Sequence, residues 1–231
     1  MLGRLHLRVF RAIREILMKS GKANKWLIEP SISRYLMWLK SLIASGNIEH
    51  LVKLDQAWLP YKAINLLEHM DQNTKVFEWG SGASTIWFAR RFESIVSIEH
   101  DPSWHHSVRQ IVKNYTFRNI KLTRDLPQKS HSPTVSSGRR GYKNLDFLEY
   151  VHVIGDHDKF DLIVIDGRAR VECLWEALNH LNVSGTILLD NAQRRRYWKA
   201  VKGLKGRNQT RVVFGLTSSS LIPTVSLFIY S

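Results

Sequence analysis

Val76-Phe77-Glu78-Trp79-Gly80-Ser81-Gly82-Ala83-Ser84-Thr85 is answered downstream by Ser94-Ile95-Val96-Ser97-Ile98-Glu99. An apolar strand runs into an acid and a Gly-x-Gly turn, a helical segment follows, and a second apolar strand ends in another acid. This is one βαβ unit of the nucleotide-binding kind. Gly80 and Gly82 lack Cβ atoms, so the backbone can turn sharply out of the strand and a ligand can come close to its amides. Ser84 and Thr85 stand where the first turn of the following helix needs capping groups. Glu99 ends the second strand, where a carboxylate can accept both hydrogens of a ribose diol.

The dinucleotide fingerprint calls for a third glycine where this chain has Thr85, and it does not favour an acid just upstream of the turn. A carboxylate at Glu78 would repel a phosphate and hold an ammonium group. The ligand implied is adenosine with a cationic tail, which fits S-adenosylmethionine. At this point the chain resembles the class I S-adenosylmethionine-dependent methyltransferases, whose first motif reads acid-x-Gly-x-Gly and whose second strand ends in an acid. The resemblance spans residues 74 to 231. It implies an α/β fold with a doubly wound, mostly parallel seven-stranded sheet and an antiparallel last strand. It also implies a cofactor site of Glu78, Gly80, Gly82, Ser84 and Glu99, with His100 lining the adenine pocket and Asp125 meeting the adenine amino group. The plain alternative is a Gly-rich strand-to-helix turn in some other α/β protein.

Phe160-Asp161-Leu162-Ile163-Val164-Ile165 is a short apolar run of the kind that forms a fully buried parallel strand, and it ends at Asp166-Gly167-Arg168. A helix from Val171 to Leu181, a turn at Val183-Ser184-Gly185 and a strand from Thr186 to Leu189 follow, ending at Asp190-Asn191. The carboxyl ends of neighbouring parallel strands open onto one crevice, which would bring Asp166 and Asp190-Asn191 near Gly80. Two carboxylates and an amide carbonyl suit a hard divalent cation. The pattern looks like that of the magnesium-dependent O-methyltransferases of the catechol and macrocin type. That resemblance makes Asp166, Asp190 and Asn191 magnesium ligands, and has the metal lower the pKa of a substrate hydroxyl and aim its oxygen at the methyl group. The catechol enzymes place a lysine base where this chain has Ala169, so the base is unassigned. Arg168 and Arg170 flank that position and can bind an anionic or hydroxyl-rich substrate. Asp166 and Arg168 are the catalytic candidates. The alternative is that the strand-tip Asp residues cap the next helices.

The chain has 231 residues, enough for one domain with a full core and an appended segment, and 44% apolar residues mark it as globular. Its 34 Lys and Arg against 20 Asp and Glu give a net charge of +14. Such a field concentrates anions, so nucleic acid, anionic lipid and acidic sugars are all candidate partners. Cys173 is the sole cysteine, which excludes an intrachain disulfide and agrees with a reducing compartment; its apolar neighbours predict a packing role. No run approaches the length of a membrane span, and arginines interrupt the apolar stretch of residues 1 to 18, unlike a secretory signal. The expected location is cytoplasmic.

Residues 1 to 72 read as an N-terminal helical extension ahead of a domain over 73 to 231. Leu2, Leu5, Val9, Ile13 and Ile16 follow helical spacing, with Arg4, Arg8 and Arg11 on the other side. This basic amphipathic helix either lies peripherally on an anionic membrane or packs on the domain. Ser31 to Ala44 and Trp58 to Met70 read as helices with a break at Gly46-Asn47, and Trp58, Pro60 and Tyr61 are candidate lid residues. A helix from Pro102 to Tyr115, with His105 and His106 facing solvent, leads to a strand from Asn119 to Thr123. Leu126 to Tyr142 has no period and reads as a mobile surface loop on the functional rim. From Asn191 to Arg211 the chain carries eight Lys or Arg and no acid, reading as helix through Leu204. Thr210 to Leu216 and Thr224 to Tyr230 read as a terminal hairpin.

Three functions compete. The first is metal-assisted O-methylation of a small-molecule or saccharide acceptor, with Arg168, Arg170 and Arg194 to Arg196 suiting an anionic one. The second is RNA methylation, which the charge favours; Asn191-Ala192-Gln193 lacks the Asn-Pro-Pro-aromatic signature of enzymes that methylate base amines. The third is a methyltransferase-like scaffold without activity, against which the intact Glu78, Gly80, Gly82 and Glu99 argue.

Overall fold

A computed structural model describes residues 32–43, 47–204 and 208–231. The basic helix expected over residues 2 to 18, and with it the membrane reading, lies outside the described residues. In chain order the elements are α1 (Ile32–Ile43), α2 (Ile48–Lys53), α3 (Tyr61–Leu67), β1 (Lys75–Trp79), α4 (Ala83–Ala89), β2 (Ser94–Glu99), α5 (Pro102–Asn114) and β3 (Ile120–Arg124). A two-strand ribbon of β4 (Gln128–Lys129) and β5 (Leu145–Asp146) comes next, then α6 (Leu148–His152), β6 (Phe160–Ile165), α7 (Arg170–Asn179), β7 (Leu181–Leu189), α8 (Trp198–Gly203), β8 (Gln209–Gly215) and β9 (Thr224–Tyr230).

The main sheet has seven strands in the order β3-β2-β1-β6-β7-β9-β8. β1 pairs in parallel with both β2 and β6, β2 with β3, and β6 with β7, whereas β9 runs antiparallel between β7 and β8. The expected doubly wound sheet with its antiparallel last strand is therefore present. Alternate residues of the central strands feed two different cores, as the period of a pleated strand demands. Phe77, Trp79, Ile163, Ile165, Ile187 and Leu189 pack with Tyr150 of α6 and Cys173, Leu174 and Ala177 of α7. Val76, Leu162, Val164 and Leu188 pack on the opposite face with Trp38 of α1, Ile64 and Leu67 of α3, and Trp87 and Phe88 of α4. Strands covered on both faces carry no polar alternation, which is why they read as apolar runs.

Helices α1 and α3 are bound into the second core, whereas Ile48, Leu51 and Val52 of α2 pack in a smaller cluster with Ala83 and Ile86 of α4 and Val108 and Ile111 of α5. The Trp38 indole donates to Ser220 O at 2.9 Å, and Tyr61 N donates to Leu216 O at 2.9 Å. Asn47, expected as part of a break, caps the short α2 by accepting from His50 N. β7 begins at Leu181, earlier than expected, with the predicted turn absorbed as an irregularity in its pairing to β6; Ser184 there has φ of 65°. The segment 126–142 is tied down more than its composition suggests. The Asp146 carboxylate accepts from the Thr134, Val135 and Leu148 amides, and Val135 and Tyr142 pack against the first core. His105, expected in solvent, is buried, and burial lowers its pKa. No helix among the described residues is long and apolar enough to cross a membrane.

Candidate active site

The parallel strands β1, β2 and β6 end side by side, and a cavity of about 270 Å³ opens at their carboxyl edge. The Gly-x-Gly turn forms one wall, Glu99, His100 and Asp101 a second, Asp166, Gly167 and Arg168 a third; Trp58, Trp104 and Tyr142 complete it. Gly80 has φ of 99°, in the left-handed region, and a Cβ there would lie 2.7 Å from Gly167 N. The turn is thus pressed against the tip of β6. Thr85 Oγ1 accepts from Gly82 N at 2.9 Å, fixing the start of α4. Asp101 caps α5 by accepting from Ser103 N and Trp104 N, and the Trp104 indole in turn donates to Ser81 O at 2.7 Å.

Glu99 is buried, and its Oε1 accepts from the His100 and Asp101 amides at 2.9 and 2.8 Å. No hydrogen bond from the described residues reaches Oε2, which leaves one oxygen of the carboxylate for a ligand. His100 is buried among the rings of Tyr142, Phe147 and Tyr150. Its Nδ1 lies 2.7 Å from Glu99 Oε1, yet outside hydrogen-bonding alignment, and neither ring nitrogen has a hydrogen-bond partner among the described residues. Buried polar atoms are nearly always paired, so such an orphan on a cavity wall calls for a ligand atom.

Glu78, expected to meet the ammonium group, is not among the residues that line the cavity. It points from β1 toward α4 and is fully buried. Its carboxylate accepts from Ser84 Oγ at 2.5 Å, Thr85 Oγ1 at 2.6 Å and Ser97 Oγ at 2.7 Å. Burial pushes its pKa up to about 7 against the pull of those three hydroxyls. Glu78 therefore braces the turn from behind instead of meeting an ammonium group directly, and Ser84, which does reach the cavity, spends its hydroxyl on that brace. Asp125, expected to meet the adenine amino group, is likewise set back from the cavity. Its amide donates to Glu99 O, and its side chain sits in the field of Glu149 and Asp156; burial, then those acids, raises its pKa.

The three expected metal ligands are each engaged by protein groups. Asp166 Oδ1 is 2.6 Å from Arg170 Nη2. Asp190 is buried away from the cavity, with Oδ1 accepting from Ser226 Oγ at 2.8 Å and Oδ2 from Asn191 Nδ2 at 2.6 Å. Burial and the nearby Asp166 push the Asp190 pKa up to about 7. Asn191 Oδ1 accepts from Arg194. Magnesium needs six oxygens in near-octahedral array and keeps several waters, and of the three residues only Asp166 lines the cavity. Arg170, expected to face substrate, is buried instead. Arg168 does line the cavity, its guanidinium 5.2 Å from the centre of the Tyr142 ring.

Asp101, Trp104 and Tyr142 were not legible as site residues. Trp104 carried a signal, an aromatic three residues past a helix-capping Asp at a strand tip, whereas Tyr142 lies in a segment with no period.

No family model and no curated protein matches the chain. Solved structures do share its fold. An O-methyltransferase from Bacillus cereus, in complex with S-adenosylhomocysteine, is 13% identical with a TM-score of 0.53, covering 96% of this chain and 90% of that one. The O-methyltransferase TomG from Streptomyces achromogenes, involved in tomaymycin synthesis and bound to S-adenosylmethionine, is 16% identical with a TM-score of 0.58, covering 83% and 90%. An rRNA methylase from Streptococcus thermophilus is 12% identical with a TM-score of 0.53, covering 74% and 94%. The architecture is that of the class I S-adenosylmethionine-dependent methyltransferases.

Proposed function

We propose that the chain is an S-adenosylmethionine-dependent methyltransferase acting on the hydroxyl of an anionic small molecule or saccharide. The observation that carries this reading is the cavity beside Gly80, where Glu99 keeps one carboxylate oxygen unpaired and neither ring nitrogen of His100 has a hydrogen-bond partner among the described residues. An acidic strand tip beside a glycine turn suits the ribose of a nucleoside, and Glu99, Asp101 and Asp166 on the cavity wall favour a cationic tail over phosphates. Glu99 Oε2 accepts the ribose hydroxyls, His100 pairs with the adenosine moiety, and Gly80 and Gly82 let the ligand lie close to the backbone. When bound, S-adenosylmethionine supplies a methyl group already activated on a sulfonium, so the acceptor must only be aimed and relieved of its proton. Asp166, on the cavity wall at the tip of β6, holds the acceptor hydroxyl and accepts its proton as the new O–C bond forms and the C–S bond breaks. Arg168 binds an anionic group of the acceptor, its guanidinium steadied over the Tyr142 ring. Calorimetric titration with S-adenosylmethionine tests the reading: binding that Glu99→Ala abolishes supports it, and no binding to the folded protein refutes it.

A second acceptor class has its own observation. Arg195 lies over the exposed Trp198 ring at 5.9 Å, and Arg195, Lys199 and Lys202 have no ion pair among the described residues. A ring among cations is the surface that single-stranded nucleic acid stacks on. Salt-sensitive RNA binding lost in Trp198→Ala would move the acceptor from a small molecule to RNA.

A further inference from the structure

The ends of β6 and β7 are joined by a positive charge that the chain supplies itself. Arg170 is 5% exposed and opens α7 directly after Ala169, whose left-handed backbone (φ 46°) turns the chain back toward the strand tip. Its Nη2 donates to Asp166 Oδ1 at 2.6 Å and to Asp166 O at 2.5 Å, its Nη1 to Asp190 O at 2.6 Å, and its Nε to Gly167 O at 3.1 Å. A cation in the first turn of a helix opposes the helix dipole, so Arg170 is not there for the sake of α7. Four oxygens from two strand ends hold it in place. Asp166 and Asp190 keep its pKa raised in spite of burial, so the guanidinium stays charged.

Asn191 closes the arrangement. Its amide directs Nδ2 to Asp190 Oδ2 and Oδ1 to Arg194, the one orientation that pairs donor with acceptor on both sides. The oxygens that would bind a divalent ion at this edge are thus directed to guanidinium, hydroxyl and amide groups of the protein.

We infer that Arg170 is the resident cation of this site: it holds the Asp166 carboxylate and ties it to the backbone end of β7 at Asp190, and methyl transfer by this chain needs no metal. The second half rests on the methyltransferase reading above; the first does not. The guanidinium pairs directly with the Asp166 carboxylate, acts on the Asp190 carboxylate only through space, and fixes Asp166 by one oxygen, leaving the other for the cavity. Arg170 is in this sense a positioning residue.

The test is titration of the wild-type protein with Mn2+, followed by the paramagnetic resonance of the free ion, with and without S-adenosylhomocysteine. S-adenosylmethionine affinity is compared in chelator and in millimolar Mg2+. The expected results are no stoichiometric Mn2+ site and an affinity that chelator leaves unchanged. Arg170→Ser, checked for folding by circular dichroism, removes the charge while keeping Asp166, Asp190 and Asn191, and should bind Mn2+ at least about tenfold more tightly than wild type. Arg170→Lys, which keeps a cation, should still exclude it. One Mn2+ bound per wild-type chain at micromolar concentration would overturn the inference, as would a folded Arg170→Ser protein with no gain in Mn2+ affinity. Mn2+ exclusion together with a failure to bind S-adenosylmethionine would instead remove the methyltransferase reading and leave the assignment of Arg170 standing.

Discussion

Gly80 and Gly167 meet across the seam between β1 and β6 so closely that a methyl group on Gly80 would lie 2.7 Å from the Gly167 nitrogen. A Cβ on Gly167 would in turn fall 2.0 Å from the Tyr150 hydroxyl. The floor of the cavity is therefore two backbones in contact, with no side chain between them. Gly80→Ala adds both a strained left-handed backbone and a backbone clash, on the order of 2–4 kcal/mol together. Chemical denaturation should show that loss, and S-adenosylmethionine binding should vanish with it. A variant of wild-type stability would mean that the seam is looser than described.

Glu99 separates into two oxygens with different tasks. Glu99→Gln keeps an oxygen for the His100 and Asp101 amides but loses the charged acceptor at Oε2. A hydrogen bond to a charged group is worth about 1.5–3 kcal/mol, so S-adenosylmethionine affinity should fall roughly 10- to 100-fold by calorimetry, with stability nearly unchanged. An unchanged affinity would take Glu99 out of the site.

The buried Glu78 makes stability depend on pH. Burial pushes its carboxyl up to about 7 in the folded chain, from an ordinary value of 4.5. The unfolded chain therefore releases this proton first as pH rises. The contribution of Glu78 is fully present below pH 4.5 and is lost as pH climbs through about 7. Glu78→Gln should flatten the stability profile between those limits, measured by denaturant unfolding at several pH values. A steeper fall in Glu78→Gln than in wild type would contradict the assignment.

Much of this could be read from the sequence because the central strands are covered on both faces and so appear as apolar runs, each ending in a conspicuous acid. What failed was the direction of side chains at those ends. Glu78 reads as a ligand group until Ser84, Thr85 and Ser97 are seen to be the hydroxyls that satisfy it; Ser84 and Thr85 read as capping groups for the next helix, and Ser97 carried no signal. Asp166 and Arg170 stand four apart at the start of a helix, a spacing that brings side chains together. Their pairing was nevertheless masked by the stronger suggestion of an Asp and Asp-Asn metal set. The early start of β7 was hidden because Ser184 takes a turn conformation inside a paired strand.

Arg168 is assigned to the acceptor and not to the cofactor. Arg168→Met should raise the acceptor KM about tenfold or more, the value of a lost charged hydrogen bond, and leave S-adenosylmethionine affinity as it was. Steady-state kinetics with an acidic acceptor decides this. A change confined to cofactor affinity would place Arg168 on the other side of the cavity.

The central claim is that the pocket over Gly80 takes a nucleoside with a cationic tail and not one bearing phosphates. Calorimetric titration of the wild-type chain with S-adenosylmethionine, and in parallel with NAD and ATP, measures this directly. The account predicts one S-adenosylmethionine bound per chain and no competing heat from either phosphate ligand. Binding of NAD or ATP that S-adenosylmethionine fails to displace would contradict it.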